Sequence, residues 1–158
     1  MPVVTHPGPT APAAPTVSLE TPDRWSALPA GDALLRASGP GARGGAVTVV
    51  VRHLVRPGQD PVTAVLDGSA AAAGPPGTRV EDAFAVLIRG REWQARHVGW
   101  DDAGVPVLEV HLVTALPPAE GAGRHLLVVG RARGHGLEED HEVLRAVLDT
   151  LLVDGDAG

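Results

Sequence analysis

The sequence predicts an α+β domain: a twisted, mainly antiparallel sheet of about six to seven strands with helices packed on both faces. Three observations predict it. Short runs rich in β-branched residues are joined by connections of hairpin length, which favours antiparallel pairing. The hydrophobic period changes from that of a strand to that of a helix at two places, around 61–73 and 138–153. The long candidate strand Val105 to Leu116 is apolar on both sides, so both sides of the sheet need cover.

Residues 1–15 are rich in Pro, Ala and Thr and cannot bury enough apolar surface to offset the entropy of ordering them. They are expected as a disordered, polyproline-like tail ahead of a single domain spanning 16–153. Val17 and Leu19 alternate with Ser18 and Glu20 as a short strand, ended by Thr21-Pro22-Asp23. Ala33 to Ser38 and Val47 to Val55 read as a hairpin across the glycine-rich stretch Gly39 to Gly45. Asp60 and Pro61 open a helix, since proline at the first helical position gives up no hydrogen bond. Val62, Val65, Leu66 and Ser69 recur at helical spacing until Gly74-Pro75-Pro76-Gly77 stops it near residue 73. Four strands follow: Arg79 to Ile88, Glu92 to Trp100, Val105 to Leu116 and Arg124 to Arg133. They are joined at Gly90, at Asp101-Asp102-Ala103-Gly104 and at 117–123. The closing helix is expected over Glu138 to Val153, with Leu144, Val147, Leu148, Leu151 and Leu152 as its apolar stripe. Its acidic start, Glu138-Glu139-Asp140, complements the helix dipole. Residues 154–158 are expected to fray.

Composition excludes several classes of function. The 158 residues include no cysteine, which removes disulfides, thiol nucleophiles and cysteine–zinc sites. Met1-Pro2-Val3-Val4-Thr5-His6 has neither the basic nor the apolar region of a signal peptide, so a cytoplasmic protein is expected. Mean hydropathy is +0.07, and no apolar run reaches the roughly 18 residues of a membrane span, so no membrane insertion is expected. The net charge is −6 and all 13 basic residues are scattered arginines, a pattern that offers no stripe to nucleic acid. The absence of Lys and Tyr, with abundant Ala, Gly, Pro and Val, points to a GC-rich, actinobacterial type of genome.

The stretch Val17-Ser18-Leu19-Glu20-Thr21-Pro22-Asp23-Arg24-Trp25 resembles the opening of the PsbP-like superfamily, a strand followed by Pro, two residues and Trp. That group includes the Ran-binding Mog proteins, the LpqN-type lipoproteins and the EagR and DcrB types. The strand Val47 to Val55, the helix from Pro61, the meander of strands and the closing helix are similar to the family order. The resemblance covers about Thr16 to Val153 and implies a PsbP-like α/β/α sandwich used for binding proteins or peptides, without chemistry of its own. The resemblance is to LpqN-type members that are secreted lipoproteins, whereas these 158 residues contain no cysteine to carry a lipid and no signal peptide is expected. A cytoplasmic location fits the EagR type, chaperones for apolar segments of secreted effectors. No functional residue is carried over from any branch.

The function expected is therefore a non-catalytic, protein-binding module, a cytosolic chaperone, adaptor or secretion accessory, with a protein or peptide segment as partner and no cofactor. The segment would dock on the sheet face or in a groove beside a helix. Trp93 and Trp100 lie seven apart on one strand and so face opposite ways, and one of them is expected as an exposed anchor with Val105, Val107 and Leu116. The alternative is a metal-binding or small-molecule enzyme. Glu109 and His111 share a face of one strand, and His97 and His125 lie on strands that could neighbour it. That alternative requires Glu109, His111 and His97 to converge in one pocket. A third reading is a homodimer formed through an exposed edge strand. Ser18, Ser26, Ser38 and Ser69 stand in no GxSxG context, so no serine hydrolase is expected. The glycines of 39–45 lack the lysine of a phosphate loop. His135 and His141 flank a helix start without the i, i+4 spacing of helical metal ligands.

Overall fold

The structure, a computed structural model, describes residues 3–6, 14–119 and 122–154, with backbone alone for 3–6 and Ala119. The strands are β1 (Val3–His6), β2 (Val17–Glu20), β3 (Ser26–Ala27), β4 (Leu35–Pro40), β5 (Ala46–Pro57), β6 (Arg79–Val80), β7 (Phe84–Ile88), β8 (Arg91–Asp102), β9 (Val105–Ala119), β10 (Ala122–Arg133) and β11 (Leu152–Val153). The helices are α1 (Val62–Ala72) and α2 (Leu137–Leu148). An eight-stranded antiparallel sheet runs β3-β4-β5-β10-β9-β8-β6, and β7 also pairs with the outer edge of β8. A separate three-stranded sheet runs β1-β2-β11. No helix of the described residues is long and apolar enough to cross a membrane.

Two hairpins set the register of the outer half. Arg89 and Gly90 between β7 and β8, and Ala103 and Gly104 between β8 and β9, all have positive φ. This is the backbone of a two-residue turn whose twist matches that of its strands. The register that follows places Arg131 of β10 directly opposite Glu109 of β9. On the next strand, β8, it is Val98 that faces Glu109.

Alternate residues of the central strands enter different clusters. Val47, Val49 and Val51 of β5, Leu126 and Val128 of β10, and Val110 and Leu112 of β9 pack with Leu144, Val147 and Leu148 of α2. Trp93, Trp25 and the three-stranded sheet's Val17, Leu19 and Val153 complete this main core. A second, smaller cluster joins Val65 and Leu66 of α1 to Val113, the residue after Leu112. Helix α2 lies close on β10: a Cβ added at Gly130 would meet Leu144 Cδ1 at 2.7 Å. Its acidic start also does more than complement a dipole. Asp140, 0% exposed, accepts from the backbone N–H groups of Arg43 and Gly45 at 2.6 and 3.0 Å and so fastens the β4–β5 loop. Gly41 and Gly45 are needed there because a Cβ at either would strike that carboxylate.

The sheet corrects several sequence expectations. It has eight strands in its larger part rather than six to seven, and a second sheet is present. Val3–His6, expected in the tail, pairs with β2 along its whole length; residues 7–13 lie outside the described residues, as does the end 155–158. The run from Arg79 to Ile88 is split into β6 and β7, and the carbonyl of Glu81 in the gap accepts from Arg96 instead. The closing helix stops at Leu148 because Thr150 turns its hydroxyl back to the Val147 carbonyl and takes the Glu20 N–H. Leu152 and Val153 then extend as β11 against β2.

Candidate functional site

Sequence spacing places Glu109 and His111 on one face of β9, and the helical stripe of α1 brings Ser69 down onto that face. Ser69 occupies a slot where the stripe's apolar residues would continue. Its Oγ lies 2.6 Å from His111 Nδ1, and His111 Nε2 lies 2.8 Å from Glu109 Oε1. Glu109 Oε2 accepts from Arg131 Nε and Nη2, both at 2.6 Å. The Arg131 guanidinium in turn lies 5.5 Å from the centre of the Trp100 ring, a cation–π contact. Five side chains from α1, β8, β9 and β10 thus form one connected array.

Glu109 and His111 are almost fully buried, at 3% and 2% exposure. Burial pushes the Glu109 pKa up, but hydrogen bonds from His111 and Arg131 and the charge of Arg131 outweigh it and hold the carboxyl below the usual range. An ionised carboxylate only accepts, so Nε2 of His111 carries a proton. In the neutral ring Nδ1 then accepts the Ser69 hydroxyl proton. The order hydroxyl, imidazole, carboxylate is that of acyl-transfer sites.

Ser69, His111, Glu109 and Arg131 of the array form one wall of a groove of about 630 Å³ between α1 and the faces of β4, β5, β9 and β10. Leu28, Val50, Leu54, Leu127 and Val129 give it an apolar floor and rim. Four arginines, Arg36, Arg52, Arg56 and Arg131, line it against one carboxylate, Glu109. Arg36 and Arg56 pair with Asp32 and Asp60 at 3.7 and 4.0 Å. Among the described residues Arg52, half-buried, has no ion-pair partner.

The structure divides the residues expected from sequence. Trp93 and Trp100 do face opposite ways, but Trp93 is 1% exposed and lies in the main core. Val107 and Leu116 are buried as well, at 3% and 7%, so none of these three offers surface to a partner. Val105 is half-buried in the β8–β9 hairpin, paired with Asp102, away from the groove lining. Trp100 is half-buried beneath Gly74, whose added Cβ would meet the ring at 2.9 Å. Of the cluster Glu109, His111 and His97, only the first two converge. His97 pairs with Val110, whose side chain belongs to the opposite face, and stacks there with Phe84 at 5.2 Å and His141 at 5.5 Å. His125 is buried with its Nδ1 unbonded and joins neither group. Among the described residues no three His, Asp or Glu side chains gather as metal ligands. From sequence, Ser69 is placed in the α1 stripe and set aside as a nucleophile for want of a GxSxG context, and Arg131 is not singled out. The readable sign was a serine in an apolar helical stripe; Arg131 depends on strand register, which the sequence does not print.

No family model and no curated protein matches this sequence. Among solved structures, the crystal structure of LpqN of Mycobacterium tuberculosis, a protein involved in cell envelope biogenesis, superposes with a TM-score of 0.69. The two are 18% identical over 96% of this chain and 91% of that one. At this identity the likeness speaks for the fold, and the chain has an LpqN-like fold.

Proposed function

We propose that this chain is a non-catalytic binding domain, a cytoplasmic chaperone, adaptor or secretion accessory, whose groove beside α1 holds an apolar, acidic segment of a partner protein. The observation that supports this reading is the groove itself: an apolar floor rimmed by arginines, with Arg52 unpaired among the described residues. A half-buried cation without a counter-charge costs free energy that an acidic ligand would recover. The LpqN neighbour, involved in cell envelope biogenesis, is compatible with an accessory role. We also read the domain as a PsbP-like sandwich with one helix on each face, supported by successive residues Leu112 and Val113 entering the α2 and α1 clusters.

A peptide display library panned against the folded protein tests the proposal. Enriched peptides are expected to combine apolar residues with Asp or Glu, and to lose binding to a Leu54→Glu/Val129→Glu variant. No enrichment, or binding indifferent to that variant, defeats it.

A second reading rests on Ser69, His111 and Glu109, whose order suits acyl transfer to the serine. It ranks second because Ser69 sits inside α1, where backbone N–H groups are spent on helix bonds and offer no oxyanion donors. A fluorophosphonate probe that labels wild type stoichiometrically, and not Ser69→Ala, would promote this reading; an unlabelled protein removes it.

A further inference from the structure

Strand β7 closes one side of the large sheet, together with the two-residue β6. Its sequence is Phe84-Ala85-Val86-Leu87-Ile88, with no proline, charge or bulge to discourage pairing. Leu87 is 71% exposed and Phe84 40% exposed, on opposite faces of the strand. In a two-residue hairpin the pair flanking the turn is hydrogen-bonded. Ile88 and Arg91 are that pair, so Ile88, Val86 and Phe84 direct their backbone groups to β8. Ala85 and Leu87 therefore direct theirs outward.

The charges around this strand are ordered. Glu81 and Asp82 precede it, and Arg89 and Arg91 follow it. A second copy running antiparallel about a two-fold axis at Val86 would set Phe84 against Ile88 and Ala85 against Leu87. It would also bring Glu81 opposite Arg91, and Asp82 opposite Gly90 between the two arginines. Each end of the strand thus meets its opposite charge twice in one symmetric contact. The hydrogen-bonded pairs of that register are Ala85 with Leu87, the two residues with outward groups. Arg91 keeps its own bonds to the Thr114 hydroxyl and the Ala115 carbonyl, and Glu81 lies 3.8 Å from His97.

We infer that β7 is a self-association edge, at which two copies of this chain join their large sheets antiparallel through Ala85 and Leu87. The strand has five residues. The contact is therefore smaller than the roughly 1,200–2,000 Å² of stable interfaces, and the dimer should form reversibly rather than permanently. The groove beside α1 has none of these residues in its lining, so the inference stands apart from the proposed function.

Sedimentation velocity of the full chain, from about 10 µM to about 1 mM, tests it. Wild type is expected to pass from monomer toward dimer across that range. Leu87→Lys alters an exposed side chain, and Ala85→Pro removes an outward N–H that edge strands can spare. Both should remain folded by circular dichroism and monomeric throughout. Asp82→Arg and Arg89→Glu should each weaken self-association, and an equimolar mixture of the two should regain a dimer. A wild type that stays monomeric overturns the inference. So does a dimer that survives both edge substitutions, or a charge-reversed mixture that gains nothing.

Discussion

The two apolar clusters packed on the large sheet are built differently although they draw on the same strands. In the larger, α2 presses Leu144, Val147 and Leu148 onto valines and leucines from β5, β9 and β10, and the three-stranded sheet adds Val17, Leu19 and Val153. In the smaller, Val65 and Leu66 of α1 join Val113, and a groove lies beside them. The polar groups lining that groove, the buried His111 and Glu109 with the half-buried Ser69 and the more exposed Arg131, satisfy one another. One is made by volume and the other by hydrogen bonds. Close apolar packing holds elements together, whereas a polar array holds a wall in place while leaving space in front of it.

The largest expected effect is on the packed face. Leu144 is 0% exposed and touches Gly130 so closely that no Cβ fits between them. Leu144→Ala should lower stability by about 3–4 kcal/mol in chemical denaturation, since the close backbones limit how far the cavity can collapse. A loss below about 1 kcal/mol would mean that this face is more yielding than its packing suggests. Next comes the polar face. Glu109→Gln keeps the volume but leaves Arg131 without its counter-charge. Because the Arg131 side chain is 49% exposed and can turn to water, the expected loss is about 2 kcal/mol. A neutral outcome would show that the array contributes nothing net to folding.

These two sites were not equally legible in the sequence. The core stripe Leu144, Val147, Leu148 follows from a period of 3.6 residues, a local property. The hairpin turns followed from glycines that tolerate positive φ. The groove did not, because it depends on how far α1 reaches across the sheet, and that is decided by non-local packing. Glu109 and His111 were found as neighbours two apart on a strand, but their partners were not. Arg131 is 22 residues from Glu109 and Ser69 is 42 from His111. The expected anchors Trp93, Val107 and Leu116 failed for the complementary reason. An apolar residue in a strand is either core or rim according to what covers it, and cover is a tertiary fact. The closing helix was read too long because Leu151 and Leu152 continue its spacing, while a single threonine hydroxyl turned the chain.

A third substitution separates space from stability. Leu54 lines the groove and is only half-buried. Leu54→Glu should therefore change folding stability by no more than about 1 kcal/mol, while abolishing capture of apolar, acidic peptides. If stability falls as far as in Leu144→Ala, the groove face is packed like the other and the contrast between them is false.

The smallest effect reverses the expectation that polar groups belong to the groove side. His141 of α2 sits in a cavity of about 240 Å³ on the packed face, among Phe84, Val86, Ile88, Val110, Leu112 and Leu148, with His97, Arg145 and Asp149 also lining it. Burial lowers its pKa, the charge of His97 and of Arg145 lowers it further, and Glu142 opposes them. The unfolded chain then takes up a proton at higher pH than the folded one. Stability is complete above the ordinary histidine range and declines as pH falls through that range toward the folded value. His53, lowered by burial and by Arg124, acts in the same direction. Glu109 acts separately and lower: a carboxyl held below its usual range keeps its contribution above that range and loses it as pH falls through the range toward the folded value. Denaturant midpoints measured from pH 8 to 5 should show a shallow decline. His141→Leu should remove part of it and leave the His53 part. A profile that His141→Leu does not flatten would show that the packed face opens readily enough to solvate the imidazole. The contrast between a face held by volume and a face held by hydrogen bonds would then rest on the groove alone.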